Sequence, residues 1–153
     1  MQSMHYLKNY INGINCDALS GKWIDNYNPS NGCVYAQIPD SSKQDVEKAY
    51  SAAQAAFPTW SATTIDTRSK IMLRIADLIL ENLERLAKAE AKDNGKPLSL
   101  AKAVDIPRAS ANFRFFGNGI TQFASKAHQS VGLNTMNYTL KQPIGVVGCI
   151  SPW

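Results

Sequence analysis

Apolar and polar residues follow two rhythms along this chain. Over the first forty residues they come in short runs separated by turn formers: Tyr6 to Ile11 before Asn12-Gly13, Lys22 to Tyr27 before Asn28-Pro29-Ser30-Asn31-Gly32, and Cys33 to Ile38 before Pro39. Short runs bounded by Asn-Gly and Pro predict strands with tight reversals. From Ser41 the spacing becomes helical. Ser41 with Gln44 reads as a capping box, and Val46, Ala49, Tyr50, Ala53, Ala56 and Phe57 follow at helical intervals, so a helix is expected to end near Phe57-Pro58. Asp66 opens a second helix over Thr67 to Glu81 with Ile71, Met72, Ile75, Ile79 and Leu83 as its apolar stripe, continuing past a break at Asn82 to Lys92.

Asp93-Asn94-Gly95-Lys96-Pro97 reads as a stop, because Gly95 can take the left-handed cap and Pro97 can begin a new helix but not extend the old one. Leu98, Ala101, Val104, Ile106, Phe113 and Phe116 carry the next helix to about Gly117, with Pro107 expected to kink or restart it. Thr135 to Lys141 alternates as a strand does. Pro143 and Gly145 then introduce Ile144 to Ile150, an apolar run of the kind found in a buried parallel strand. Such a strand needs partners at both edges and on both faces, so the chain is expected to be the first part of a larger fold.

Composition narrows the class. At 153 residues, 44% hydrophobic and 18% charged, the chain is globular in type, with no run long enough to span a bilayer and no signal-peptide core in its first fifteen residues. A cytoplasmic address is expected. Cys16, Cys33 and Cys149 are too few and scattered for a disulfide framework or a zinc site, so they are expected to be reduced thiols and no metal is expected. The net charge of +4 is uneven: residues 1–93 carry 10 basic and 11 acidic side chains, residues 94–153 carry 6 and 1. No two Lys or Arg are adjacent and no aromatic stacking pattern accompanies them, so the +5 of the last third points to an anionic small ligand or an acidic partner surface rather than to nucleic acid.

Two places carry candidate chemistry. Ile150 to Trp153 follows the apolar run, and ligands of open parallel sheets bind just beyond the carboxyl ends of strands. Pro152 and Trp153 can wall a cleft there, or simply end the strand and cap the core. The second place is Arg108. Lys102, Arg108 and Arg114 are six residues apart, each rotated by about 240° from the last, so they cannot share one stripe and at least one should face inward. Arg108 can grip a carboxylate through two parallel hydrogen bonds, or it can pair on the surface with Asp105 three residues earlier. Arg114 is expected to brace the sheet or a neighbouring element. Cys149 reads as a packed small hydrophobe, Gly117-Asn118-Gly119 as a loop or helix end rather than a dinucleotide fingerprint, and His5 and His128 have no evident role.

Taken together, Gly21-Lys22-Trp23, Asn28-Pro29-Ser30-Asn31-Gly32, Asp93-Asn94-Gly95-Lys96-Pro97 and the stretch from Pro143 to Trp153 resemble the N-terminal part of the NAD(P)-dependent aldehyde dehydrogenase superfamily. The resemblance implies an α/β fold: part of a Rossmann-like NAD-binding domain over residues 1–153 with N-terminal β-hairpins, and a protruding oligomerisation segment at residues 124–143. Its catalytic domain would lie outside this chain. It places Ile150, Ser151, Pro152 and Trp153 on the dinucleotide cleft, with NAD expected and NADP open. It puts the nucleophilic Cys, the general-base Glu and the oxyanion Asn beyond Trp153, so this chain alone is expected to be inactive. Asp105-Ile106-Pro107-Arg108, Asn112-Phe113-Arg114-Phe115-Phe116 and Asn137-Tyr138-Thr139 resemble in particular the aminomuconate and hydroxymuconate semialdehyde dehydrogenases. That likeness makes Arg108 the expected ligand of a substrate carboxylate, and a homodimer or homotetramer the expected assembly. The alternative is a naturally short, non-catalytic binding or assembly module with the same partial fold.

Overall fold

The computed structural model describes residues 4–151. Five short strands come first: β1 (His5–Tyr6), β2 (Asn9–Ile11), β3 (Ile14–Cys16), β4 (Trp23–Asn28) and β5 (Cys33–Pro39). Asn12 and Gly13 both take left-handed φ, 53° and 78°, the geometry of a two-residue hairpin, and they join β2 to β3. β5 is the centre of a separate three-stranded sheet, parallel to β1 with His5 opposite Ala36 and antiparallel to β4 with Ile24 opposite Ile38. The single strand expected over Tyr6 to Ile11 is therefore two. The Leu7 amide still donates to the Gln37 carbonyl at 2.9 Å, and Lys8 then turns out to pair with Asp17 at 3.1 Å, redirecting the chain into the hairpin.

Helix α1 (Lys43–Ser61) is capped one residue later than its sequence implies. Ser42, not Ser41, is the N-cap, and the Asp45 carboxylate accepts from the Ser42 amide at 2.7 Å and the Ser42 hydroxyl at 2.9 Å. A carboxylate can accept several bonds where Gln44 would offer one oxygen. Asp45 also accepts from the Leu19 amide at 2.9 Å, tying the helix start to the loop after β3, while Ser41 is engaged by Asn9. The Ser42 amide first and the Leu19 amide next hold the Asp45 carboxyl below its ordinary 3.8. The helix also passes through Pro58 to Ser61, past the end expected near Phe57-Pro58. The end is closed by Ser61 Oγ donating to the Pro58 carbonyl at 3.0 Å and by the Thr63 amide donating to Trp60 at 3.1 Å.

Thr64 caps α2 (Ile65–Glu81) by accepting from the Thr67 amide at 3.2 Å, and Asn82 (φ −106°, ψ 17°) divides it from α3 (Leu83–Asn94), the break expected at that residue. Gly95 takes the left-handed cap at φ 79°. Beyond Pro97 a short turn, α4 (Leu98–Leu100), widens into a π turn over Ala101–Asp105 before α5 (Ile106–Gly119), so Pro107 lies in the first turn after the restart. α2 and α5 pack through small residues seven apart on each: Ser69 and Ala76 face Ser110 and Gly117, all four buried. The Ser110 hydroxyl donates to the Ala76 carbonyl at 2.8 Å, and a Cβ on Gly117 would stand 3.1 Å from that of Met72. The expected apolar stripe of α2 is only half-buried around this seam, with Met72, Ile75 and Ile79 flanking it.

The rest is open. β6 (Ala127–Ser130) and β7 (Thr135–Tyr138) form an antiparallel hairpin; β7 stops short of Lys141 because its partner ends, with the Thr139 amide making one last bond to Lys126 at 2.9 Å. Residues 139–151 carry no regular structure. The buried parallel strand expected over Ile144 to Ile150 is absent among the described residues, and Ile144 and Ile150 are 91% and 99% exposed. A ladder strand needs neighbours, and none of the other strands reaches it. Among the described residues the buried apolar side chains are all alanines, Ala18, Ala36, Ala76, Ala87 and Ala101.

Candidate functional site

The site is built where α3 meets the sheet and the π turn. Asp93 at the end of α3 accepts from Tyr35 Oη of β5 at 2.7 Å and from Asn26 Nδ2 of β4 at 2.8 Å, and Lys92 Nζ lies 4.4 Å above the Tyr35 ring. One turn on, a Cβ at Gly95 would come within 2.9 Å of Pro29 Cβ. Two segments that read separately as turn punctuation, residues 28–32 and 93–97, are thus in contact, and the requirement at Gly95 is both conformational and steric. An open groove of about 580 Å³ lies between the sheet and α3, lined by Leu7, Tyr35, Leu86, Glu90, Asp93 and Ile106 among others.

Lys96 leaves this corner to bridge two acids, Asp105 at 2.7 Å and Glu90 at 3.0 Å. The hydrogen bonds to Asp105 and then Glu90 raise its pKa above the ordinary lysine value. The next cations are also engaged: Lys102 with Glu84 of α3 at 2.6 Å and Arg114 with Asp77 of α2 at 2.6 Å, the brace expected of Arg114. Arg108 is different. It is exposed on the first turn of α5 and makes no hydrogen bond or ion pair among the described residues. Its expected surface partner, Asp105, is taken by Lys96. Of Lys102, Arg108 and Arg114 none is buried, which corrects the inward-facing cation expected from their spacing; each reaches out to an acid or to solvent, where a charge keeps its hydration.

At the other candidate place, Ile150 and Ser151 are exposed in the extended terminal segment, and Pro152 and Trp153 lie outside the described residues. No hydrogen bond or ion pair connects Arg108 with Ile150 or Ser151 among the described residues. Cys149 is exposed, not packed, because the strand that would bury it does not form. His5 is held in β1, and His128 in β6. Gly117 to Gly119 is a helix end, as expected. No group of three His, Cys, Asp or Glu stands together as a metal site, and no helix is long and apolar enough to cross a membrane, both statements holding for the described residues.

The α/β arrangement matches the N-terminal part of solved aldehyde dehydrogenases. A putative aldehyde dehydrogenase from Burkholderia cenocepacia superposes with a TM-score of 0.78 at 36% identity, over 81% of this chain and 25% of that one. PnpE in complex with nicotinamide adenine dinucleotide gives a TM-score of 0.78 at 34% identity, over 81% and 26%. Residues 16–153 match the aldehyde dehydrogenase family. The chain belongs to that family. It is 44% identical to the human 2-aminomuconic semialdehyde dehydrogenase over 149 residues, 96% of this chain and 30% of that protein. It is 36% identical to the 2-hydroxymuconic semialdehyde dehydrogenase of Pseudomonas sp. strain CF600, over 98% and 32%. The chain therefore spans about 30% of the length of the curated relatives it matches.

Proposed function

We propose that this chain is the N-terminal part of an NAD-dependent dehydrogenase that oxidises a carboxylate-bearing semialdehyde, of the 2-aminomuconate or 2-hydroxymuconate type, to the acid. The likeness to enzymes of both names carries the reading. NAD would supply the hydride acceptor. This chain's share is to bind and orient. Ile150, with its apolar side chain exposed, and Ser151, with a hydroxyl beside it, have the chemistry of one wall of a cleft for a flat ring, and the family resemblance assigns Pro152 and Trp153, which lie outside the described residues, to the same wall; no other part of the cofactor is assigned to this chain.

Arg108 is the substrate-carboxylate ligand in this proposal. Its guanidinium is exposed and has no hydrogen bond or ion pair among the described residues, while Lys96, Lys102 in the π turn and Arg114 on α5 each hold an acid. A planar fork is the side chain best matched to a carboxylate. The nucleophile, the general base and the oxyanion donor are assigned beyond Trp153, so residues 1–153 by themselves form no NADH. Residues 124–143, with the β6–β7 hairpin, are the proposed oligomerisation segment of a homodimer or homotetramer.

The test is a comparison of two aldehydes in the native enzyme. Arg108→Ala is expected to raise KM for the semialdehyde acid about 10- to 100-fold, the equivalent of removing a hydrogen-bonded charge pair, and to spare a neutral aldehyde of similar length. Equal losses on both substrates would remove Arg108 from the site. A wild-type enzyme that prefers the neutral aldehyde would overturn the substrate class.

A further inference from the structure

Asp105, the acid three residues before Arg108, is held by another cation. On a helix, residues three apart are neighbours, and an acid at i with an arginine at i+3 can form a weak surface pair. Asp105 and Arg108 have that spacing, yet Asp105 Oδ2 receives Lys96 Nζ at 2.7 Å and Arg108 receives nothing among the described residues. The arrangement around Lys96 is specific. Its ammonium lies between Asp105 and Glu90, the side chains 24%, 31% and 36% exposed, and Glu90 Oε1 is in turn held by Asn94 Nδ2 at 2.6 Å. The Lys96 amide donates to Asn94 Oδ1 at 2.9 Å, so the stop segment that delivers the lysine is itself fixed. The π turn over Ala101–Asp105 ends on the acid that Lys96 captures, one turn before Arg108.

We propose that Lys96 is a positioning residue for Arg108: by occupying Asp105 it keeps the guanidinium available to a ligand carboxylate. The inference deepens the reading of Arg108 as the substrate ligand and rests on it for its functional meaning, but the availability of Arg108 can be measured without substrate. Removing the Lys96 charge leaves the Asp105 carboxylate without its cation, three residues before Arg108 on the same helical run.

The experiment is to label the native full-length protein with phenylglyoxal, which adds to uncommitted guanidinium groups, and follow the Arg108 peptide by mass spectrometry. Lys96→Met is expected to slow labelling of Arg108 about two- to fivefold, the range of a helix-surface ion pair, while leaving Arg114 unchanged. Lys96→Met combined with Asp105→Asn is expected to restore the wild-type rate, because no carboxylate remains at position 105 to capture Arg108. A purely structural role predicts the opposite, with the double variant no better than the single one. Should Lys96→Met not fold, Lys96→Gln, which can still donate but does not neutralise, takes its place and should slow labelling in the same direction. No change in labelling in the single variant, or no recovery in the double, would overturn the proposal. KM then separates it from the reading beneath it. In Lys96→Met, KM for the semialdehyde acid should rise by the same two- to fivefold with kcat and the neutral aldehyde unmoved. If the labelling follows expectation but Arg108→Ala affects both aldehydes alike, the substrate reading fails and the positioning stands.

Discussion

Tyr35 shows how far a single polar residue can be shifted by its setting. Burial is the largest cause, the hydrogen bond to Asp93 and that carboxylate's charge come next, and Asn26 donating to the phenol acts the other way; together they push the tyrosine up to about 12 from 10.0. An unfolded chain gives up this proton near pH 10, the folded one only near 12, so the stability tied to the protonated phenol is complete below pH 10 and is lost between pH 10 and about 12. Denaturant midpoints measured across that window should fall for the wild type and fall less for Tyr35→Phe. Identical slopes would mean that the phenol titrates no differently in the folded protein. The residue was readable in the sequence only as part of a strand. Its partner Asp93 is 58 positions away, and a contact at that separation leaves no periodic signal.

Among the elements, the helix starts and stops were the most legible features, and also the ones displaced by a residue or two. The stop at Gly95 follows from local chemistry, because glycine takes φ 79° without the strain that a Cβ brings to most residues there. What local chemistry did not show is that Pro29 packs against it. Gly95→Ala therefore meets two penalties, a left-handed backbone and a Cβ 2.9 Å from Pro29 Cβ, and should lower the stability of the native protein by about 2 kcal/mol. Gly119→Ala is the control: nothing lies within 4 Å of its added Cβ, it sits at the end of α5, and its denaturant midpoint should stay level or rise slightly. A Gly95 variant as stable as the Gly119 one would mean that the stop segment does not hold the turn at Pro29. Helix α1 teaches a related point. Ser41-Gln44 and Ser42-Asp45 are both capping patterns, and the choice fell to Asp45 because a carboxylate could also take the distant Leu19 amide.

At the scale of the whole molecule, surface outweighs core. The chain exposes 11,846 Å², where a compact protein of 16.8 kDa exposes about 7,600 Å². The excess, roughly 4,000 Å², is several times what one partner buries in an ordinary interface of about 800 Å². Much of it is apolar: Val46, Tyr50 and Trp60 along α1, Phe115 and Phe116 on α5, Val131 and Leu133 between β6 and β7, and Ile144 to Ile150 beyond them. Residues 1–153 produced alone should bind a hydrophobic dye strongly, elute as aggregates and melt without a sharp transition. A monodisperse species that unfolds cooperatively at 16.8 kDa would favour a self-sufficient binding module instead.

The sequence by itself determined the strand-rich start and helical middle, the reversal at Asn12-Gly13, the helix break at Asn82 and stop at Gly95, the restart near Pro107, and the family. Each of these rests on backbone preferences of a few neighbouring residues, or on motifs whose order along the chain is itself the signal. Only the tertiary structure decided which side chains meet across that order. It split the first strand between a sheet and a hairpin, moved the α1 cap to Ser42, set small residues rather than the apolar stripe at the α2–α5 seam, and gave Asp105 to Lys96 instead of Arg108. It also left Ile144 to Ile150 in the open, since an apolar run becomes a strand only when another strand stands 4.8 Å or so away to receive its hydrogen bonds.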